Sequence, residues 1–449
     1  MLARIARFFW PDVTDLQFKK YGLLSLAFFF IIGAYWLERP LKDGVFFNIV
    51  GAEHQPTAKI LSVFIVLLLV LVYSKLIDMF EKQNLFYLLG SIYAVLFALI
   101  AYVIGLPRTG PDAVNPDLLR YIGWISYFVI ESFGSLIVAL FWSFVASMTD
   151  TETAKRCYPM VLAGAQIGAI VGPFIAWKYA QAWGLRILFA IVIAAILILL
   201  GIIKYFMKVI PADQITIGKK EIVAEKKGKT GFLEGLKLLL TRSYLFGIFL
   251  VVTLYEVVGT IVDYQMKVQA KSFYPTEESL TSFLGMFGMC ANALALLMAL
   301  LGTAYLMRRF SLRFCLLTFP ITLGFAVAAL YVVYSWQLFS PWYLLWATFA
   351  VMMIAKGLSY ALNNPAKEMM YIPTSKDAKF KSKGWIDMFG GRVSKAGGSA
   401  FNELLKKSPQ ALMAFGTLLS LGLIGVWIFA AIFVSSKFDK LVKENKIVE

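Results

Sequence analysis

Apolar runs of about twenty residues follow one another along almost the whole chain, separated by short polar breaks. A run of that length crosses a hydrocarbon core about 30 Å thick when it coils into a helix. The pattern predicts spans near 21–37, 59–79, 85–106, 119–148, 158–180 and 185–208. It predicts a second set near 243–268, 279–305, 312–334, 342–370, 384–404 and 410–435. About twelve helices result, and in the eleventh Asp387, Arg392 and Lys395 interrupt the apolar run. The longest polar stretch, from about Ile210 to Gly231, is basic and falls at the middle. The expected organisation is an interfacial segment over 1–20, a six-helix bundle over 21–208, a basic linker over 209–242, a second six-helix bundle over 243–436 and a tail over 437–449. Twofold repetition is a hallmark of secondary transporters, which hold substrate near the midplane where the repeats meet.

Composition sharpens the class. With 449 residues, 60% of them hydrophobic, and a mean hydropathy of +0.74, the chain is too apolar for a soluble globular protein. A formal net charge of +16 raises the question of nucleic acid, and the distribution of that charge answers it. Arg4, Arg7, Lys19 and Lys20 precede the first span, Lys155 and Arg156 follow the fourth, and Lys219, Lys220, Lys226, Lys227 and Lys229 follow the sixth. Arg308, Arg309 and Arg313 follow the eighth, and Lys437, Lys440, Lys443 and Lys446 end the chain. Basic clusters on alternate loops are positive-inside topology with both termini cytoplasmic. The basicity then serves orientation and contact with anionic lipid, and no nucleic-acid partner is expected. Cys157, Cys290 and Cys315 share no ligand spacing and are expected as small core residues. His54, the one histidine, falls in a polar turn. No metal site, cofactor or nucleophile triad can be assembled, which argues against an enzyme. The first twenty residues lack an apolar core and a cleavage site, so no cleaved signal peptide is expected. Arg4, Phe8, Phe9 and Trp10 suit a short helix lying on the cytoplasmic interface.

The halves carry weak internal repeats. Leu37-Glu38-Arg39-Pro40-Leu41-Lys42 matches Val262-Asp263-Tyr264-Gln265-Met266-Lys267, and each places a carboxylate four residues before a lysine. At that spacing the two charges share a helix face and can partly neutralise each other. Thr153-Ala154-Lys155-Arg156 is set against Asp377-Ala378-Lys379-Phe380 at the same offset, within one residue. Gly164, Gly168 and Gly172, at spacing four, predict a close helix-packing face.

Polar residues inside the spans carry the functional argument, because a charge near the bilayer centre costs roughly 2.5–3.5 kcal/mol on insertion scales. Arg39 and Lys42 end the first span, Glu131 lies in the fourth, and Glu256, Asp263 and Lys267 lie in the seventh. The tenth runs into Lys356, Asn363, Asn364, Lys367 and Glu368, and Lys383, Asp387, Arg392 and Lys395 follow. Taken singly, such residues can be buried ion pairs that fix helix register. Taken together, cations exceed what pairing needs, and a cationic cavity calls for an anionic substrate. Lysine offers a point charge to phosphate, and arginine grips two oxygens at once. Tyr35, Trp36, Tyr255, Tyr264, Phe283 and Phe287 can stack on a base, although packing is the commoner use of such rings.

The chain resembles the nucleotide transporter (ATP:ADP antiporter) family of obligate intracellular bacteria and plastids from end to end. The likeness is carried by Phe9-Trp10-Pro11, Arg39-Pro40-Leu41-Lys42-Asp43, Glu131 before Gly134-Ser135, and Ala154-Lys155-Arg156-Cys157-Tyr158-Pro159. It continues through Glu256, Lys367-Glu368-Met369-Met370-Tyr371-Ile372-Pro373, Lys383-Gly384-Trp385-Ile386-Asp387 and Lys395-Ala396-Gly397-Gly398. The resemblance implies an all-α, major-facilitator-like membrane protein that exchanges ATP for ADP by alternating access around a central cationic site. It maps the family's functional lysines to Lys42 and to Lys395, with Lys383 the second choice for the latter. In this reading Lys42, Lys267, Arg392 and Lys395 hold phosphates, and Glu131, Glu256 and Asp387 hold those cations in the empty site. Arg39, Asp263, Asn363 and Lys367 complete the expected substrate-binding set. The expected partners are ATP, ADP and membrane lipids, with a monomer in a bacterial inner membrane. The alternative is a proton-coupled importer of nucleotides or of another phosphorylated or anionic solute.

Overall fold

A computed structural model describes residues 13–106, 119–211, 214–215, 232–301, 309–386 and 390–448. Among these residues helix is almost the only regular structure, with one isolated bridge between Thr374 and Val448. Among the described residues, ten helices are long and apolar enough to cross a membrane. Large apolar side chains stand open on their outer faces, such as Phe64, Leu68 and Leu71 on one helix and Val95, Leu99 and Tyr102 on another. In water that display would be a liability; against lipid it is the fit surface.

The chain divides into two compact units. The first comprises residues 1–51, 64–228 and 275–292. It is built on α1 (Asp15–Ile49), most of α2 (Gln55–Met79), α3 (Lys82–Ile104), α4 (Leu119–Ala146) and α5 (Thr151–Val209). Helix α1 packs most heavily on α5. The glycine stripe explains how. A Cβ added at Gly164, Gly168 or Gly172 would lie 2.2, 2.4 or 2.2 Å from the carbonyl oxygens of Ser25, Phe29 and Gly33. Only glycine lets the two backbones approach so closely. Helix α5 holds both the fifth and the sixth expected spans, broken at Gly184, whose φ of 74° a residue with a side chain rarely adopts. Phe28 stacks on Phe141 at 4.3 Å in the core of this unit. Lys20, expected among the charges outside the first span, is buried and donates to the carbonyls of Met148 and Gln214.

The second unit comprises residues 52–63, 229–274 and 293–449. It contains α6 (Phe232–Thr241), α7 (Ser243–Phe273), the end of α8 (Glu277–Leu301), α9 (Leu312–Ser335), α10 (Pro341–Leu358), α11 (Asn364–Met370), α12 (Lys376–Trp385), α13 (Gly391–Leu405) and α14 (Pro409–Lys443). Helix α14 packs on both α7 and α9, and Trp427 meets Phe319 at 4.8 Å between them. Helices α10 and α11 are joined by a wide turn over Ser359–Asn363, where the Asn364 amide reaches back five residues to Ser359. Pro365, just beyond, has no amide to donate, and widening of the turn at that point accommodates the loss.

Of the expected eleventh span over 384–404, the described residues form the end of α12 and the 15-residue α13, and residues 387–389 between them lie outside the described residues.

The repeat is visible in the local structure. Asp150 caps α5 and Ser375 caps α12, each through its side chain to the amide three residues on. Ser375 follows Asp150 by 225 positions, the offset that also separates Lys267 from Lys42 and Asp263 from Glu38.

Candidate functional site

Within the first unit, α1 carries Arg39 and Lys42 on successive turns. Lys42 Nζ lies 2.5 Å from Glu131 Oε2 on α4 and 4.4 Å from the ring centre of Tyr127, one turn before Glu131. The lysine side chain is 9% exposed and the glutamate 39%. The pair therefore has a covered cation and a carboxylate partly open to solvent. The Arg39 guanidinium sits over Trp36 at 4.6 Å and Tyr35 at 5.7 Å, a cation–π arrangement. Gly134 makes room for it: a Cβ there would lie 2.2 Å from the Tyr35 ring.

Within the second unit, Asp263 on α7 holds two cations. Lys267 Nζ is 2.8 Å from Asp263 Oδ2, one turn further along the helix. Lys59 Nζ, near the start of α2, is 3.1 Å from the same oxygen. Two ammonium groups therefore meet at one carboxylate oxygen. Elsewhere in this unit Lys395 on α13 lies 3.6 Å from Glu256 on α7, and Lys383 on α12 lies 2.5 Å from Glu368 on α11. Asn363 is buried in the wide turn, Lys367 follows one turn later on α11, and Arg392 is half-buried on α13.

Glu131 and Glu256, expected to hold cations of the empty site, each face a lysine. Lys42 pairs with Glu131 and not with Glu38 on its own helix, whereas the matching Asp263–Lys267 pair forms as expected. Asp387 lies outside the described residues, and Lys395 is with Glu256. The interfacial segment around Phe8 and Trp10 also lies outside them. Tyr255, Tyr264 and Phe283 are buried in packing, so they offer no face to a base in this conformation.

Lys59 escaped the sequence reading because it opens an apolar run and looks like a flanking charge. The available signal was its place on a loop otherwise poor in basic residues.

Chemically, these clusters are lysines held by carboxylates in helices made largely of apolar residues. An anion with several oxygens can take over each lysine when it arrives, and the carboxylate takes it back when the anion leaves.

Known proteins point the same way. The family model described as TLC ATP/ADP transporter matches residues 1–109 and 117–438. The chain is 26% identical to "ADP,ATP carrier protein 1" of Rickettsia prowazekii (strain Madrid E), with 99% of this chain and 98% of that protein covered. It is also 26% identical to "ADP,ATP carrier protein 1" of Chlamydia pneumoniae, covering 99% and 96%. Among solved structures it is similar to a bacterial homologue of the iron transporter ferroportin in an inward-facing state, with a TM-score of 0.67, 14% identity, and 94% and 100% of the two chains covered. A point mutant of the nucleoside transporter NupG gives a TM-score of 0.60 at 13% identity, with 94% and 100% covered. Likeness at that identity establishes a major-facilitator-like fold and nothing about cargo.

Proposed function

The chain belongs to the TLC ATP/ADP transporter family, and on that footing we propose that it exchanges ATP for ADP across a bacterial inner membrane. It is an integral, multi-pass membrane protein of a carrier family. The observation that carries the finer reading is that Lys59 and Lys267 both reach the one carboxylate of Asp263. Phosphate oxygens can replace Asp263 as partners of these two lysines. In the first unit, taken by itself, phosphate oxygens can likewise replace Glu131 as the partner of Lys42. Arg39, stacked on Trp36, presents a planar fork to a second phosphate oxygen pair.

The same logic favours exchange over one-way release. A lysine stripped of its anion in an apolar helix must recover its carboxylate, and the recovered ion pair stabilises the empty protein. A charge-assisted hydrogen bond of this kind contributes roughly 1.5–3 kcal/mol. Substrate on either side competes with it equally, so loaded forms interconvert by alternating access more readily than empty ones.

The Lys and Arg bias supports cytoplasmic termini, and the basic segments suit anionic lipid. The protein acts as a monomer in this reading, with no enzymatic step. Competition tests the substrate class. Purified protein in liposomes takes up labelled ATP, and unlabelled ATP and ADP compete where sugar phosphates and inorganic phosphate do not. Equal competition by a sugar phosphate would move the assignment to another phosphorylated solute.

A further inference from the structure

Glu38 is fully buried, and neither of its carboxyl oxygens has a hydrogen-bond partner. Burying a charged carboxylate with no donor is among the costliest arrangements a fold can hold, so a site of this kind accommodates the neutral acid. Proton binding is then the function to ask about.

The surroundings define what the proton controls. Helices α4 and α5 of the same unit pack on α1, and α3 packs on α4 and α5. Lys42 lies four residues along the same helix as Glu38. From α3 comes Tyr93, whose hydroxyl is 2.8 Å from Ser132 on α4. From α4 comes Glu131, which holds Lys42. Glu38 and Glu131 therefore compete for one lysine. The matching pair in the other unit shows the alternative arrangement, with Asp263 and Lys267 joined at 2.8 Å over the same four-residue step. A glutamate four residues before a lysine is also the favourable order on a helix.

We propose that Glu38 is a proton-binding site that trades its proton for Lys42. In the state described here Glu38 carries the proton and Glu131 holds the lysine. In the second state the O–H bond of Glu38 breaks, its carboxylate takes the Lys42 ammonium, and the proton forms a new O–H bond on the vacated Glu131 carboxylate. One cation, one carboxylate and one carboxylic acid are present before and after, so no net charge is created in the buried cluster. Glu131, 39% exposed, can then pass the proton to water, which Glu38 cannot do directly. The consequence for transport rests on the exchange reading, because it supposes that Lys42 meets substrate. Proton binding itself does not.

Infrared difference spectroscopy on the full chain in lipid, titrated from acid to alkaline pH without nucleotide, reads the site directly. Wild type should show a carbonyl band of a protonated, poorly hydrated carboxyl group that is lost as pH rises. Glu38→Gln should lack that band, and Glu131→Gln should keep it. A band that persists in Glu38→Gln, or a wild-type protein with no such band, overturns the proposal. Should Glu38→Gln fail to fold, Glu38→Asp serves, since its shorter arm must move the band; an unmoved band counts against Glu38. ATP/ADP exchange forms the second arm. Wild-type exchange should vary with pH through the range where the band titrates, and in Glu38→Gln that variation should vanish. A protein that exchanges no nucleotide but shows the Glu38 band sinks the exchange reading and leaves the proton site standing.

Discussion

At the residue scale the account turns on lysines whose partners are replaceable. On the proposed reading, Lys42→Ala removes a phosphate ligand and the Lys42 ammonium that Glu131 holds. Nucleotide affinity should fall by about 1.5–3 kcal/mol, roughly ten- to hundred-fold, as measured by binding to the purified protein. Lys42→Arg should recover little, because a planar fork of donors replaces the compact point charge that sits 2.5 Å from Glu131. Asp263→Asn has the opposite sign for binding. Lys59 and Lys267 lose their shared anion, so phosphate is held more tightly, while its release and hence exchange slow down. Measuring affinity and exchange rate separately checks this, and weaker binding in Asp263→Asn would show that the carboxylate positions the lysines for substrate. Residue identities were largely legible in the sequence: a charge in an apolar run announces itself, as Lys42, Glu131 and Glu256 do. Pairing was not. Which carboxylate Lys42 chooses depends on the approach of α4 to α1, and one chain's linear spacing favoured Glu38.

At the element scale, helix contacts and caps set the geometry that the site needs. Gly168 faces the Phe29 carbonyl, which is backbone and cannot step aside. Gly168→Ala should cost about 1–3 kcal/mol in a thermal or denaturant assay in detergent, as overpacked cores do. Gly201, with nothing within 4 Å of its would-be Cβ, is the control, and alanine there should be neutral or stabilising. The cap of α5 gives a pH effect. The Thr153 amide bonded to Asp150 holds that carboxyl below its ordinary value of 3.8. Its contribution is present above the unfolded value, neutral pH included, and is lost only as pH falls through the lowered folded value. Asp150→Ala should cost about 1 kcal/mol at neutral pH. The glycine stripe and most span positions could be seen in the sequence because they follow helical period and apolar length. The eleventh span was harder to read, because Asp387, Arg392 and Lys395 interrupt its apolar run.

At the scale of the whole molecule, class and direction come from different sources. Length and hydropathy alone give a multi-pass membrane protein, and the 225-residue offset between Lys42 and Lys267 gives the repeat. The nucleotide enters through family membership, since a cationic cluster by itself accepts any phosphorylated solute. Coupling is the property that joins these levels, because it decides whether the carboxylate–lysine clusters reset the empty protein. Counter-exchange in liposomes measures it most directly. With labelled ATP outside, uptake should require ADP or ATP inside, and an imposed proton gradient should not replace the internal nucleotide. Equal uptake into nucleotide-free liposomes, or uptake driven by the gradient alone, would contradict the exchange mechanism.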